Sequence, residues 1–174
     1  MSKPTIQIRQ YQPLDHSFVC QIFSNGLLGL DYPEGFDIKP YISESLATDL
    51  ANIESTYITD IGSNFWVATI EQSIIGMTAI KKIDSATAEL RRMSVSEASR
   101  RSKVASALLR TAEEFCVDAE YNTIHLTTTN MQIPAIKLYE NFGFKEFGRT
   151  PHGLITAIHF RKSLVSKLES HRLS

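Results

Sequence analysis

The stretch AELRRMSVSEASRRSKVA, Ala88–Ala105, decides how the rest of the chain must be arranged. Its first half, 88–95, reads as a strand, Ser96–Ser99 as a loop, and a helix is expected to open near Arg101. Val104, Leu108, Ala112 and Phe115 then recur at helical spacing. A helix that begins directly after a strand aims unpaired backbone N–H groups, and the positive end of its dipole, at one point. Residues 91–103 add five bases (Arg91, Arg92, Arg100, Arg101, Lys103) against one acid, Glu97. Such a junction suits an anion with several oxygens, a phosphate or pyrophosphate.

Working outward from this junction, Thr5–Gln10 alternates as a strand, and Asp15 or Ser17 can cap a helix carrying Phe18, Val19, Ile22, Phe23, Leu27 and Leu28. LDYPEGFDIKP (30–40) is a loop. Ile42, Leu46, Leu50, Ile53 and Tyr57 step by helical intervals, which predicts one second helix with one buried stripe. Phe65–Ile70 and Ser73–Ile80 form a hairpin around Glu71-Gln72 and lead through Asp84-Ser85 into the central strand. Beyond the long helix come a strand (Thr123–Thr128), a helix with Pro134 early in it and Gly143 at its end, and strands at Phe144–Gly148 and Leu154–Phe160. The order β-α-α-β-β-β-α-β-α-β-β predicts an α/β domain with a mixed sheet of six to seven strands and helices on both faces. One domain is expected to span 1–174, with 161–174 as a basic tail that either extends as a helix or is loose.

With 174 residues, 43% of them apolar, the chain can bury a substantial core. A net charge of −1 gives no global pull toward nucleic acid or acidic membranes. No apolar run approaches a membrane span and no signal peptide is visible, so a cytoplasmic protein without nucleic-acid or membrane partners is expected. Cys20 and Cys116 read as small buried hydrophobes, and the five histidines show no metal-ligand spacing, so no metal is expected.

RRSKVA (100–105) after MSV (93–95), together with LYENFGF (138–144), resembles the GNAT superfamily of acetyl-CoA-dependent N-acetyltransferases. Within it, 47–68 and 126–144 are similar to the camello-type N-acetyltransferases. Lys103 departs from the family motif, standing where a glycine is usual, and Gln132 stands where many relatives have asparagine. The polar loop 30–40 lies where camello-type relatives often carry a membrane segment, so their membrane association is not carried over. The resemblance implies the GNAT-like acyl-CoA N-acyltransferase fold, acetyl-CoA as donor, a small-molecule or peptide amine as acceptor, and a homodimer as one expected state.

It also implies site residues. Backbone groups of Met93, Ser94 and Val95 would hold the pantetheine arm as an added strand. Arg100, Arg101, Ser102, Lys103, Val104, Ala105 and Ser106 would carry the pyrophosphate. Gln132 either bonds the arm from the other side or caps a helix. Removing the proton from a lysine-like ammonium at pH 7 costs roughly 4–5 kcal/mol, so a base is needed. Glu89, which alternation places on one strand face with Arg91 and Met93, is either that base or half of an ion pair with an arginine. Tyr139 is either the acid that protonates the leaving thiolate or a core aromatic. Residues 31–60 hold seven acids (Asp31, Glu34, Asp37, Glu44, Asp49, Glu54, Asp60) and one base, Lys39. Glu44, Asp49 and Glu54 read mainly as a solvated helix face, while Tyr32, Glu34, Phe36 and Asp37 on the loop are expected to contact the acceptor. A non-catalytic acyl-CoA sensor on the same fold is the competing reading. A P-loop ligand domain would need a GxxxxGK(S/T), which is absent.

Overall fold

The structure, a computed structural model, describes residues 5–164. Seven strands, β1 (Gln7–Gln10), β2 (Asn64–Ile70), β3 (Ser73–Lys82), β4 (Thr87–Val95), β5 (Thr123–Thr129), β6 (Lys145–His152) and β7 (Ile155–Ser163), form one mixed sheet. Their order is β1-β2-β3-β4-β5-β7-β6, and only β4 and β5 run parallel, as the helical crossover between them requires. The expected fold class is borne out. Arg161–Ser163, expected in a basic tail, belong to β7 and pair with β5; the remainder of that tail, 165–174, lies outside the described residues.

Helices α1 (His16–Leu28) and α2 (Lys39–Ala47) cover one face, burying Val19, Phe23 and Ile42 with Phe65, Val67, Met77 and Ala79. Helices α3 (Val104–Asp118) and α4 (Ile133–Asn141) cover the other, where Val104, Leu108, Ala112 and Tyr139 pack on Ala68, Ile80, Ala88, Leu90, Ile124 and Leu126. The head of α3 comes very close to the sheet at Gly76, where an added Cβ would stand 3.0 Å from Val104 and 3.1 Å from Leu108. Cys116 is buried beneath α3, and burial pushes its thiol up to about 12, with Glu113 adding to the shift.

The structure corrects the sequence reading at three places. The second helix is not continuous: α2 stops at Ala47, Thr48 leaves helical geometry (φ −110°, ψ −108°), and a single π-type turn, Glu54–Ile58, carries Tyr57. Ile42, Leu50, Ile53 and Tyr57 are still buried, so the apolar stripe was right and its continuity wrong. Helix α3 opens at Val104 and not near Arg101, because Arg101 and Lys103 both adopt left-handed backbone (φ +67° and +65°).

The third correction concerns β4. Ala79 pairs with Arg91 and Met77 with Ser94, so Thr78 faces two residues, Arg92 and Met93. This bulge, with Arg92 at φ +55°, ends simple alternation. Met93 and Val95 pack with the α3–α4 layer, whereas Glu89 and Arg91 lie on the α1–α2 side. Met93 therefore does not share their face.

Arg92 is held by what it meets. Its guanidinium grips both oxygens of Asp49 (2.5 and 2.9 Å), reaches Ser45 Oγ at 3.1 Å and lies 4.9 Å from the centre of the Phe23 ring. Tyr57 donates to the same carboxylate at 2.5 Å. Both side chains of the ion pair are only 12% exposed, which overturns the expectation of a solvated Asp49. Burial alone would push the Asp49 carboxyl up. The hydrogen bonds from Arg92 and Tyr57, with the charges of Arg92 and Arg91, outweigh it and hold the group below the usual carboxylate range.

Two consequences are measurable by urea unfolding. Asp49→Asn leaves Arg92 buried without a counter-charge and is expected to cost about 3–5 kcal/mol at pH 7. Because the folded state lowers this pKa, the pair's stabilisation is complete above the unfolded value near 3.9 and is lost as pH falls through the depressed folded value. Stability of Asp49→Asn should accordingly fall less steeply below about pH 4 than that of the unaltered protein.

Candidate active site

Strands β4 and β5 pair only from Thr87–Thr123 to Leu90–Leu126 and then diverge. Beyond that rung, β4 keeps its bonds to β3, and β5 keeps its bonds to β7. The edge of β4 that carries Met93, Ser94 and Val95 faces the resulting opening, as strand-like capture of a pantetheine arm needs. Ser94 lies on the α1 side, with its Oγ 3.7 Å from a Cβ built on Gly26.

At the mouth of the opening, Glu97–Ser99 form one tight turn, and Ser102 Oγ donates to the Ser99 carbonyl. The left-handed residues Arg101 and Lys103 then bend the loop before α3 starts. The first helical bond past this loop runs from the Ala107 N–H to the Lys103 carbonyl (3.0 Å), so the N–H groups of Val104, Ala105 and Ser106 precede the helical ladder. No side chain caps this end of α3, while Arg100, Arg101, Ser102 and Lys103 are exposed around it. The predicted anion-binding residues thus come together. A base-rich, uncapped helix head opposes its own dipole unless an anion sits there.

Gln132 is half-buried at the N-cap of α4, yet its side chain makes no capping bond. Tyr139 is 5% exposed and packs edge-on against Phe144 at 5.9 Å, and burial pushes its phenol up, so it holds its proton at neutral pH. Thr128, also 5% exposed, stands on β5 past the last β4 rung, on the side of Leu126 and Tyr139. Its Oγ1 is the one buried side-chain polar atom without a hydrogen-bond partner among the described residues. An orphaned hydroxyl, an unpaired strand edge and an uncapped helix head lie along one path, and together they fit a long, polar ligand ending in a diphosphate.

The opposite side of the opening is different in character. Glu89 is paired with Arg91, Oε2 to Nε at 2.5 Å, and both are partly exposed. The four loop residues expected at the acceptor are split. Tyr32 and Phe36 are half-buried and stacked at 5.1 Å, and Gly35 between them abuts Leu154 at the tip of the β6–β7 hairpin. Glu34 is exposed, and Asp37 Oδ1 accepts the Lys39 N–H at the start of α2, a local structural duty. Sequence reasoning passed over His125, Thr127 and His159, which the sheet places beside Glu89 on this face. The alternation of TIHLTT marked them only as one side of a strand.

A seven-stranded mixed sheet whose β4 and β5 diverge opposite an uncapped, base-rich helix head is the architecture of an acyl-CoA-dependent transferase fold. Residues 28–144 match the sequence profile of the Acetyltransferase (GNAT) family, and the chain belongs to that family. It is 39% identical over 128 residues to human N-acetylaspartate synthetase, covering 72% of this chain and 42% of that one. To human N-acetyltransferase 8 it is 34% identical over 115 residues, 63% of this chain and 51% of the relative. The chain thus spans about half the length of these curated relatives. Among solved structures, a GNAT-family acetyltransferase from Staphylococcus aureus Mu50 superposes with a TM-score of 0.77 at 23% identity, covering 92% of this chain and all of that one. The PaiA N-acetyltransferase of Thermoplasma acidophilum, solved with coenzyme A, gives 0.75 at 20% identity, covering 92% and 99%. Among the described residues no helix is long and apolar enough to cross a membrane.

Lys103 sits in a conformation that costs a non-glycine residue about 1 kcal/mol or more. Its ammonium is the compensating gain if it faces the diphosphate. Lys103→Gly should therefore leave the unfolding free energy equal or slightly higher, yet weaken CoA binding and flatten its salt dependence. Titration calorimetry at two ionic strengths reads both, and unchanged affinity would assign the lysine no part in binding.

Proposed function

We propose that the chain is an N-acetyltransferase that moves the acetyl group of acetyl-CoA directly to the primary amine of an amino-acid-like acceptor in a ternary complex. The observation that carries this reading is the divergence of β4 and β5 past Leu90 and Leu126, opposite the uncapped head of α3. The donor enters from the α3–α4 side, with its diphosphate on the 100–106 loop and its thioester beside Met93. A backbone N–H of the bulged stretch polarises the carbonyl. The acceptor approaches from the α1–α2 side, where Glu89 attracts an ammonium and Arg91 offers a cation to a carboxylate. N-acetylaspartate synthetase among the relatives supports an acceptor that carries both groups; peptide and protein lysines are the other acceptors this chemistry admits. Once the amine attacks and the C–S bond breaks, the thiolate takes a proton from Tyr139, a residue of the α3–α4 layer. The two free thiols suit a reducing cytoplasm.

Free-thiol release from acetyl-CoA with a panel of amines, aspartate and other amino acids included, tests the assignment. Turnover with at least one amino acid is expected. Tight CoA binding without turnover would favour the sensor. Tyr139→Phe should lower kcat by about 10²-fold while leaving CoA affinity nearly intact; full activity in that variant would remove the tyrosine from the chemistry.

A further inference from the structure

We propose that His159, acting through the hydroxyl of Thr127, receives the proton that the acceptor's ammonium must lose. The inference rests on the N-acetyltransferase reading and adds a residue to it. Thr127 is the first β5 residue past the last rung to β4, and it stands on the face that carries His125 and Glu89, themselves neighbours in register. Its own neighbour on β7 is His159. The imidazole carries a hydroxyl at each nitrogen: Thr127 Oγ1 is 3.0 Å from Nδ1, and Thr150 Oγ1 is 2.8 Å from Nε2.

That pairing holds the ring between two hydroxyls, each able to donate or accept. The relay uses the tautomer in which Thr150 accepts from Nε2–H and the Nδ1 lone pair accepts from the Thr127 hydroxyl. The imidazole thus sits one hydroxyl behind the lip of the opening. The carboxylate of Glu89 is meanwhile engaged by Arg91 at 2.5 Å and lies one rung further inside the paired part of the sheet. The other charged or titratable groups that register places on this face include His125 on β5, Arg161 on β7, Lys145 and His152 on β6, and Lys81 on β3, which is paired with Asp60. The Phe147 ring lies 6.0 Å from His159 and 5.3 Å from His125, with the Arg161 guanidinium 5.5 Å from its centre. His159 is half-exposed, so a proton it receives can pass on to water.

The step balances without any further reactant. The acceptor ammonium gives one proton to Thr127 Oγ1 as that oxygen's own proton moves to Nδ1, leaving a neutral amine and an imidazolium. The amine lone pair forms the C–N bond, and the C–S bond breaks with its electron pair on sulfur. As the tetrahedral centre collapses, Tyr139 gives its proton to the thiolate and regains one from the nitrogen's second N–H, and the imidazolium returns the first proton to solvent.

The test is the pH dependence of kcat/KM for the full chain with acetyl-CoA and its best amine, comparing the unaltered protein with His159→Gln, Thr127→Val, Thr127→Ser and Glu89→Gln. The unaltered protein should show an acid-limb inflection in the range where imidazoles titrate, between pH 5 and 8. His159→Gln and Thr127→Val should both lose it and slow by about 10²-fold at pH 7, while Thr127→Ser keeps it. CoA affinity and the thermal midpoint serve as controls for folding, and Thr127→Val cuts the relay with the imidazole still present. An inflection that survives in His159→Gln, or that Glu89→Gln alone removes, overturns the relay. An unaltered protein that releases no thiol with any amine of the panel overturns the enzymatic reading and the relay together, so the two failures are told apart.

Discussion

The site depends on one residue too many in β4. Arg92 takes a left-handed backbone conformation that disfavours a branched-out side chain, at a cost of about 1–2 kcal/mol. Such strain persists only where the surroundings over-determine it. Here they do: both oxygens of Asp49, the Ser45 hydroxyl and the Phe23 ring all receive the same guanidinium. The pair also joins the segment after α2 to the central strand, so the covering layer and the bulge are fixed by one contact. Were Arg92 an ordinary alternating position instead of the extra residue of a bulge, Met93 and Val95 would fall on the α1–α2 side, and the strand edge would present different backbone groups to the opening.

Much of this architecture was legible from residue order. Alternation and turn residues located all seven strands, with β6 running on to His152 where the sequence reading ends it at Gly148. Helical spacing found the long helix, and the base-rich stretch after MSV pointed to the anion site. What stayed hidden has a common physical origin. Periodicity carries no mark of a single inserted residue, so Arg92 read as one more alternating position. The stripe Ile42–Tyr57 keeps helical intervals through a break because each residue is buried from its own local turn. Lys103 and Arg101 gave no warning either, since left-handed backbone is ordinarily announced by glycine.

Charge was the least legible property. The sequence concentrates acids in 31–60, where Glu44, Asp49 and Glu54 read as a solvated helix face and Glu34 and Asp37 as acceptor contacts. Folding spends three of them locally: Asp49 on Arg92, Asp37 on the first turn of α2, and Asp60 on Lys81 and Ser63. The sheet face beside the opening instead carries Arg91, Arg161, Lys145, His125 and His159 with Glu89 as its carboxylate. A linear count of charges cannot see this, because strand register, not sequence distance, brings these residues together.

In the proposed transfer, the two faces of the opening keep apart two protons that the reaction must handle. One leaves the acceptor before attack, when the amine is still an ammonium in the polar, partly exposed layer of Glu89, Thr127 and His159. The other is needed after the C–S bond breaks, on the side where Tyr139 and Thr128 are buried among apolar groups. A single residue serving both would have to reach through the sheet. The divergence of β4 and β5 makes that unnecessary, because it lets the carbon centre meet both sides while the proton donors and acceptors remain apart. Burial then has opposite value on the two faces. It keeps the Tyr139 phenol protonated in the α3–α4 layer, whereas on the other face the half-exposed His159 of the proposed relay can pass its proton to water.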